Sequence, residues 1–258
     1  MRQERDCCWM QSCYTQMENK IEKLQKIFDE SERIVFFTGA GVSTESGIPD
    51  FRSVDGLYNT KYKYPPEMII SHSFFMNNPQ EFYRFYKDRM IYQQAKPNAA
   101  HLKMAEFEQA GKCLGVVTQN IDGLHSMAGS KNVYELHGTI FRNYCERCHK
   151  YYDLDYVVNS DGVPYCQCGG IVKPDVVLYE EGLDEDTIRG AVDIIRKADT
   201  LVITGTSLVV YPAAGLVNYF RGNNLVVINM SVTNQDDSAD LLIQDKVGHV
   251  LSQIKVNG

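Results

Sequence analysis

Four cysteines in the middle of the chain have the spacing of a zinc site. Cys145 and Cys148 form one pair with two residues between them, and Cys166 and Cys168 form a second pair after a gap of seventeen residues. Paired thiolates at this separation are typical of zinc ribbons, and four sulfurs leave no open position for water or substrate. The second pair is one residue shorter than usual, but the adjacent His149 is a poor alternative because neighbouring side chains rarely bind one metal. We therefore predict one structural Zn²⁺ per chain, held by the four cysteines.

A glycine-rich segment, TGAGVSTESGIPDFR (residues 38–52), has the features of a phosphate-binding turn. It directly follows the apolar run 33–37. Gly39 and Gly41 would let backbone N–H groups approach a pyrophosphate at the end of a strand. The full dinucleotide fingerprint needs a third glycine where this chain has Thr44, and an acidic residue about twenty positions later. Neither stands at the expected place, so the segment indicates a dinucleotide site without the features of hydride transfer.

Polar residues follow several apolar, strand-like runs at the point where each run ends. They are residues 118–125 (TQNIDGLH), His137, residues 204–207 (TGTS) and Asn229. Any one of them alone is more often a turn former or a helix cap. Several such residues, each at the end of a strand-like run, together indicate a functional site. An imidazole at such a site could take a proton from a sugar hydroxyl near pH 7. His137 is therefore the candidate base.

The elements that carry these residues predict an α/β fold. Short runs that are apolar on both faces alternate with helical stretches such as residues 98–109 and 184–197, which indicates a Rossmann-like, mostly parallel sheet with helices on both faces. Two segments interrupt the pattern. Residues 54–95 form a helical insertion and residues 138–180 a zinc-binding insertion, and together they would build a smaller lobe. The larger domain would then comprise residues 17–53, 96–137 and 181–258.

Composition restricts the class of protein. A chain of 258 residues with 44% hydrophobic and 23% charged residues is typical of a globular protein. The formal net charge of −7 argues against general nucleic-acid binding. We find no apolar run of membrane-spanning length and no secretory signal, so we expect a cytoplasmic protein that binds neither nucleic acid nor membrane. We also expect a monomer, with residues 1–16 as a disordered extension.

The ordered motifs resemble those of the sirtuins, the NAD-dependent protein lysine deacylases, and the overall pattern is similar to bacterial members. The resemblance covers the chain from about residue 18 to its end. Besides the four cysteines and Asn229, it rests on GAGVSTESGIPDFR (39–52), TQNIDGLH (118–125), ELHG (135–138), KPDVVLYEE (173–181) and GTSLVVYPAA (205–214).

The resemblance implies an NAD-binding site and its residues. In sirtuins NAD is a co-substrate, consumed rather than reduced. The residues implied to contact NAD are Gly39, Ala40, Gly41, Thr44, Asp50, Phe51, Arg52, Gln119, Asn120, Ile121, Asp122, His137, Gly205, Thr206, Ser207, Asn229, Lys246 and Val247. Those implied in catalysis are His137, Asn120 and Asp122.

The resemblance also implies the reaction and its substrates. The amide oxygen of an acylated lysine attacks the sugar carbon as nicotinamide leaves, and the acyl group then moves to ADP-ribose. His137 draws a proton from a ribose hydroxyl during this sequence. The partners would be acylated-lysine proteins or peptides, which would pair as an extra strand with Val176, Val177 and Leu178.

Three other functions are compatible with parts of the pattern. A protein mono-ADP-ribosyltransferase would use the same NAD site and is the alternative that we retain. A dehydrogenase is less favoured because the fingerprint is incomplete. A nucleic-acid-binding zinc ribbon is disfavoured because residues 142–175 lack a positive balance.

Two positions bear on substrate choice. Tyr86 and Arg89 share a helix face and resemble the pair by which some sirtuins bind an acidic acyl chain, but we favour a core tyrosine and a solvated arginine. Where family members often have glycine before the last acid of the substrate strand, this chain has Glu180 before Glu181.

Overall fold

The structure is a computed structural model that describes residues 3–53, 56–59 and 62–257, with side chains from Met17 onward. Its strands are β1 (Ile34–Thr38), β2 (Cys113–Thr118), β3 (Val133–Glu135), β4 (Gly138–Cys145), β5 (Tyr151–Tyr152), β6 (Val172–Val176), β7 (Thr200–Thr204), β8 (Asn224–Ile228) and β9 (Leu241–Ile243). Its α-helices are α1 (Gln3–Glu30), α2 (Pro66–Ile69), α3 (His72–Asn77), α4 (Pro79–Arg89), α5 (Ala99–Gln109), α6 (Leu124–Met127), α7 (Leu154–Asn159), α8 (Glu185–Lys197) and α9 (Val247–Ser252). Short 3₁₀ helices include Ala40–Val42, Thr44–Ser46, Leu57–Asn59, Ala213–Tyr219 and Asp236–Ser238.

The larger domain contains a six-stranded parallel sheet in the order β3-β2-β1-β7-β8-β9. Every residue of the central strand β1 is buried, because helices cover both faces of the sheet. Consecutive strand residues point to opposite faces. Phe36 accordingly packs in the core beneath α1, α5 and α9, and Phe37 packs in the core beneath α8. Burying each ring contributes roughly 1.5–3 kcal/mol. The predicted α/β fold is confirmed.

The smaller lobe has its own core between a three-stranded sheet, in the order β5-β4-β6, and helices α2–α4 and α7. Aromatic residues dominate it, including the fully buried Phe75, Phe82, Tyr83 and Phe85. The segment that links the two sheets passes through Gly138, whose φ of +72° and close approach to the Asp175 carbonyl exclude a side chain. The existence of two insertions with a shared core agrees with the expectation from the sequence, while the exact domain limits stay a prediction.

The first helix begins earlier than expected. Helix α1 spans Gln3–Glu30, so helical backbone extends into residues 1–16, for which we expected disorder. Met1 and Arg2 lie outside the described residues. None of the helices in the described part of the chain combines the length and apolar character that a membrane crossing requires.

Candidate active site

A cavity of about 440 Å³ lies where the sheet domain meets the small lobe. One wall is built from the turns that follow β1, β2, β7 and β8, at the carboxyl ends of the parallel strands, where α/β folds bind ligands. The opposite wall is built from the segment after β6 and from the helical insertion. All the residues that we predicted to contact NAD line the cavity except Gly39. The structure thus brings them together, and their contacts with a dinucleotide stay a prediction.

The glycine-rich turn after β1 packs directly against the turn after β7. The N–H of Gly39 donates to Thr204 O at 3.1 Å, and the N–H of Gly41 donates to Gly205 O at 2.8 Å. A Cβ on Gly41 would lie 2.8 Å from the Gly205 Cα. Both N–H groups are therefore used within the protein, so any backbone contact with a pyrophosphate would come from other residues of the turn, and that contact stays a prediction. Glycine is required here because two backbones meet, with Ala40 and Thr44 left to line the cavity.

A polar network connects this turn to the segment after β2. Ser43 Oγ donates to Asp122 Oδ2 at 2.6 Å and accepts from Asn120 Nδ2 at 3.1 Å. Asp122 Oδ1 accepts from the Leu124 N–H at 2.9 Å. Burial raises the pKa of Asp122, and these hydrogen bonds from Ser43 and Leu124 partly oppose that shift. Ser43 was not among the predicted site residues, because its only signal in the sequence is its place in the glycine-rich segment.

His137 lies at the junction between the two sheets. Its Nδ1 lies 2.9 Å from Gln119 O, and because a carbonyl only accepts, the proton of the neutral ring must be on Nδ1. Burial lowers the pKa of His137, and the bond to Gln119 partly opposes this. The ring is thus held as a neutral imidazole with the Nε2 lone pair free to accept a proton. The backbone carbonyl of His137 also accepts from the Val177 N–H at 3.0 Å.

The third group of cavity residues follows β7 and β8. Asn229 Nδ2 donates to Thr206 O at 3.1 Å, which joins the two turns. Thr206 Oγ1 donates to Gln119 Oε1 at 3.5 Å. Gln119 Nε2 is buried without a hydrogen-bond partner among the described residues. A buried donor without a partner is costly, so this side of the cavity suits a ligand that carries hydrogen-bond acceptors.

Three of the polar residues that we placed at strand ends do not reach the cavity. Thr118, His125 and Thr204 are buried and absent from its lining. His125 Nε2 is hydrogen-bonded to Thr38 Oγ1 at 3.0 Å, and its ring lies 4.7 Å from the ring of the buried His101. These residues support the site from behind, as ordinary turn and core residues do.

The loop after the glycine-rich turn is shaped by its own side chains. Asp50 Oδ1 accepts from the N–H groups of Arg52 and Ser53 at 3.0 and 2.7 Å. The Phe51 ring contacts the Tyr58 ring edge-on at 5.4 Å, and the Arg52 guanidinium lies 5.3 Å from the centre of the same ring. Tyr58, which the sequence analysis did not single out, thus fixes the two residues expected to meet the dinucleotide.

The predicted substrate-binding segment forms part of the cavity wall. Val176 ends β6, while Val177 and Leu178 follow the strand, and all three line the cavity. Within the described residues, strand β6 pairs only with β4 in its sheet, so it is an edge strand that an extended peptide can join. This arrangement agrees with the expectation for the segment, and peptide binding itself stays a prediction.

Glu180 adopts the backbone conformation that glycine would favour, with φ of +76°. Its carboxylate accepts from the N–H and the hydroxyl of Ser73, each at 2.9 Å. Glu181 accepts from the Leu178 N–H at 2.9 Å and pairs with His72 and Lys173 at 2.9 and 3.0 Å. The two acids therefore attach the chain that follows the predicted substrate-binding segment to helix α3 and to β6.

Tyr86 and Arg89 are placed differently. Tyr86 is buried, stacks on Phe82 and does not line the cavity. Arg89 lines the cavity and pairs with Asp88 at 2.7 Å. Tyr86 is thus a core tyrosine, as we favoured, whereas Arg89 reaches the cavity, so the choice between a solvated arginine and one that binds an acidic acyl chain stays a prediction.

The four cysteines converge on one point of the small lobe. Their Sγ atoms all lie within 4.8 Å of one another, with Cys145 and Cys168 at 3.4 Å and Cys148 and Cys166 at 3.5 Å. A zinc tetrahedron with Zn–S bonds of about 2.3 Å has edges of about 3.8 Å. The donor set therefore fits one Zn²⁺, and the shortened second pair still reaches it.

Comparisons with known proteins agree with this site. The Sir2 family model matches residues 39–212. A protein of Clostridium perfringens named NAD-dependent protein deacetylase is 61% identical over 242 residues, which cover 92% of this chain and 99% of that protein. One of the same name from Staphylococcus aureus is 47% identical, with coverage of 92% and 99%.

Solved structures give the same result. One described as a Sir2 enzyme superimposes with a TM-score of 0.84 at 41% identity and covers 92% of this chain and 96% of that chain. A Sir2 complex with a p53 peptide and NAD⁺ has a TM-score of 0.80 at 40% identity, with coverage of 90% and 95%. The chain belongs to the Sir2 family.

Proposed function

We propose that this protein is an NAD-dependent protein lysine deacylase, which transfers the acyl group of a modified lysine to ADP-ribose and releases nicotinamide. The observation that carries the proposal is the position of His137. Its ring is bonded to Gln119 in the dinucleotide wall, and its carbonyl is bonded to Val177 in the peptide wall. One residue thus touches both halves of the cavity.

The dinucleotide wall offers different chemistry at its two ends. Gln119 presents a buried amide donor beside Thr206, and this donor could bind a sugar hydroxyl or a phosphate oxygen. Asn229 holds the turns after β7 and β8 together through its bond to Thr206 O. At the other end, the Ser43–Asp122 network presents a carboxylate that can accept from an amide group. We assign the adenosine half of NAD to Thr206 and Asn229, and the nicotinamide group to Asp122. The nicotinamide ribose would lie between them, beside Gln119, Asn120 and His137.

NAD supplies an activated sugar carbon whose bond to nicotinamide breaks. The protein holds the reacting groups and handles the proton. Asn120 is fixed by its bonds to Gly39 O and Ser43 Oγ, both at 3.1 Å, and so keeps a constant position in the cavity that His137 also lines. His137 accepts a proton at Nε2, and the bond from Nδ1 to the Gln119 carbonyl stabilises the ring in the correct tautomer and then as the cation.

The peptide wall positions the acyl-lysine. A peptide paired with the segment 176–178 places its side chain across the cavity toward His137. The four cysteines would hold a zinc ion in the small lobe, and four sulfur ligands would leave no position open for substrate. Its role is therefore to hold β4 and β6, which carry this wall.

The proposal includes the setting in which the protein works. It would act as a monomer in the cytoplasm on acylated-lysine proteins. Neither nucleic acid nor membrane would be a partner, because a net charge of −7 gives the protein no overall attraction for polyanions.

Mass spectrometry of a panel of acetyl-, propionyl- and succinyl-lysine peptides, incubated with labelled NAD, tests the function. We expect free lysine, nicotinamide and a label in a soluble acylated sugar, with acetyl removed faster than succinyl. A label fixed to protein would support the ADP-ribosyltransferase instead. No consumption of NAD with any peptide would refute the proposal.

A further inference from the structure

A hydrogen bond between the Tyr58 and Tyr179 hydroxyl groups joins the loop that follows the glycine-rich turn to the residue that follows the segment 176–178. Their oxygens lie 2.9 Å apart, and both residues line the cavity. Tyr58 belongs to the loop that follows the glycine-rich turn, and Tyr179 belongs to the end of the substrate segment. The bond is therefore a direct contact between the part of the protein that faces the dinucleotide and the part that faces the peptide.

The dinucleotide side of this contact is rigidly attached to Phe51 and Arg52. The Tyr58 N–H donates to Phe51 O at 2.9 Å, and the preceding N–H, of Leu57, donates to Asp50 O at 2.8 Å. The Tyr58 ring also contacts the Phe51 ring and lies under the Arg52 guanidinium. A shift of Phe51 or Arg52 on a ligand must therefore move the Tyr58 hydroxyl.

The peptide side is attached just as firmly. The Tyr179 N–H donates to Ile70 O, and its carbonyl accepts from the His72 N–H, both at 3.0 Å. The next residue, Glu180, is fixed by Ser73. These bonds hold the main chain of Tyr179, which directly follows Leu178, so a displacement of the segment 176–178 would be transmitted to the Tyr179 hydroxyl.

We propose that the Tyr58–Tyr179 hydrogen bond couples the two binding events, so that a dinucleotide in one half of the cavity raises the affinity of the other half for the acylated peptide. Tyr58 and Tyr179 are then positioning residues, which act through Phe51, Arg52 and the segment 176–178. The inference rests on the proposed function. Burial and the bond to Tyr179 raise the pKa of Tyr58, so its hydroxyl keeps its proton and the link persists at all ordinary pH values.

Titration calorimetry of an acetyl-lysine peptide, with and without saturating ADP-ribose, measures the coupling. The coupling ratio is the dissociation constant of the peptide without ADP-ribose divided by that with ADP-ribose. We expect a ratio above one for the wild type and a fall of about 2- to 12-fold in Tyr58→Phe and in Tyr179→Phe, the range for one neutral hydrogen bond. Phenylalanine keeps both rings in place. The coupling ratio of the double variant should be no lower than that of either single variant, because both substitutions remove the same hydrogen bond.

Two further readouts separate coupling from general damage. The affinity of Tyr179→Phe for ADP-ribose alone, and kcat with both substrates saturating, should stay within about twofold, while KM for the peptide rises. Tyr219→Phe is the matched control, because Tyr219 is 40% exposed and lies outside the cavity lining. Thermal unfolding of each variant checks that it folds.

The outcomes distinguish this inference from the function on which it rests. An active wild type with the same ratio in all variants, or with a ratio of one, would overturn the coupling alone. A coupling ratio in the double variant that falls by the product of the two single-variant effects would also overturn it. Each hydroxyl would then contribute independently, and not through their shared hydrogen bond. A wild type that neither binds ADP-ribose nor deacylates the peptide would refute the proposed function and the coupling together.

Discussion

The Nδ1 of His137 lies 2.9 Å from the backbone carbonyl of Gln119. A side-chain carboxylate in this position would hold the imidazole more strongly in its protonated form, whereas a neutral carbonyl fixes the tautomer and adds little charge. Burial then lowers the pKa of the ring. The result is an imidazole that is neutral at pH 7 and lines the cavity, as the proposed base requires.

Replacing His137 tests this role directly. We expect His137→Ala or His137→Tyr to lower the deacylation rate by about 100- to 10,000-fold, the usual contribution of a positioned base. Binding of ADP-ribose to His137→Ala should persist, because the cavity keeps its other residues. Peptide mass spectrometry and calorimetry measure the two quantities. Near-normal turnover in the alanine variant would remove His137 from the mechanism.

The pH–rate profile should reflect the lowered pKa of the base. The neutral ring is the active form, so the rate falls as the pH drops through the pKa of His137. Because burial moves that pKa below the ordinary value of about 6.5, the acid limb of kcat/KM should have its midpoint below pH 6.5. A midpoint above that value would contradict the assigned environment.

Ser43 should matter although it is neither acid nor base. Ser43→Ala leaves Asp122 Oδ2 and Asn120 Nδ2 without their shared partner. We expect kcat/KM for NAD to fall about 10- to 100-fold, in line with the cost of unsatisfied buried groups. Steady-state kinetics at saturating peptide measures the change. Ser126→Ala, at an exposed position of α6, is the control, and an equal loss in both variants would argue against a specific role.

Metal removal should unfold the small lobe. Cys148→Ala breaks the ligand set, and we expect loss of the bound zinc, loss of activity and a fall in Tm of roughly 10 °C. Cys113→Ala removes a thiol from β2, outside the cluster, and should keep one zinc per chain. Metal analysis and thermal unfolding check both variants. A folded, fully active, zinc-free protein would refute the structural role.

Much of the fold and site could be predicted from short-range patterns. The apolar runs that form β1, β2, β7 and β8 belong to a sheet that helices cover on both faces. Strands in such a sheet are continuous apolar runs, and this pattern allowed a parallel sheet to be predicted from the sequence. Cys145 and Cys148 could be assigned because metal geometry imposes their spacing. His137 stood out because it follows a strand-like run directly.

Contacts between distant segments could not be predicted in this way. The sequence places Gly41 in a phosphate-binding pattern, yet its N–H is taken by Gly205, which lies far along the chain. Ser43 gains its role from Asp122, and Tyr58 gains its role from Tyr179. No local pattern encodes these pairs. The early start of α1 was missed because residues 1–16 show no clear helical period.

The buried histidines behind the site should make the protein sensitive to acid. Burial lowers the pKa of His101 to about 4, and the pKa of His125 is lowered by burial and by His101. The unfolded chain, with a histidine pKa of about 6.5, binds more protons between these values, so stability falls as the pH drops below 6.5. For His101 alone, we expect a loss of about 2 kcal/mol between pH 7 and pH 5.

His101→Gln should remove the share of this loss that belongs to His101. The Nδ1 of His101 accepts from the Asn98 N–H at 3.3 Å at the start of α5, and glutamine can accept the same bond without titrating. Urea unfolding at pH 7 and pH 5 measures the difference, with His249→Gln as the control because the His249 side chain is 59% exposed. The His101 variant should lose less stability on acidification than the control. The wild-type His101 is neutral in the folded protein and takes up a proton when the chain unfolds at pH 5, and glutamine cannot do this. Equal losses in the two variants would mean that His101 is not held neutral by burial.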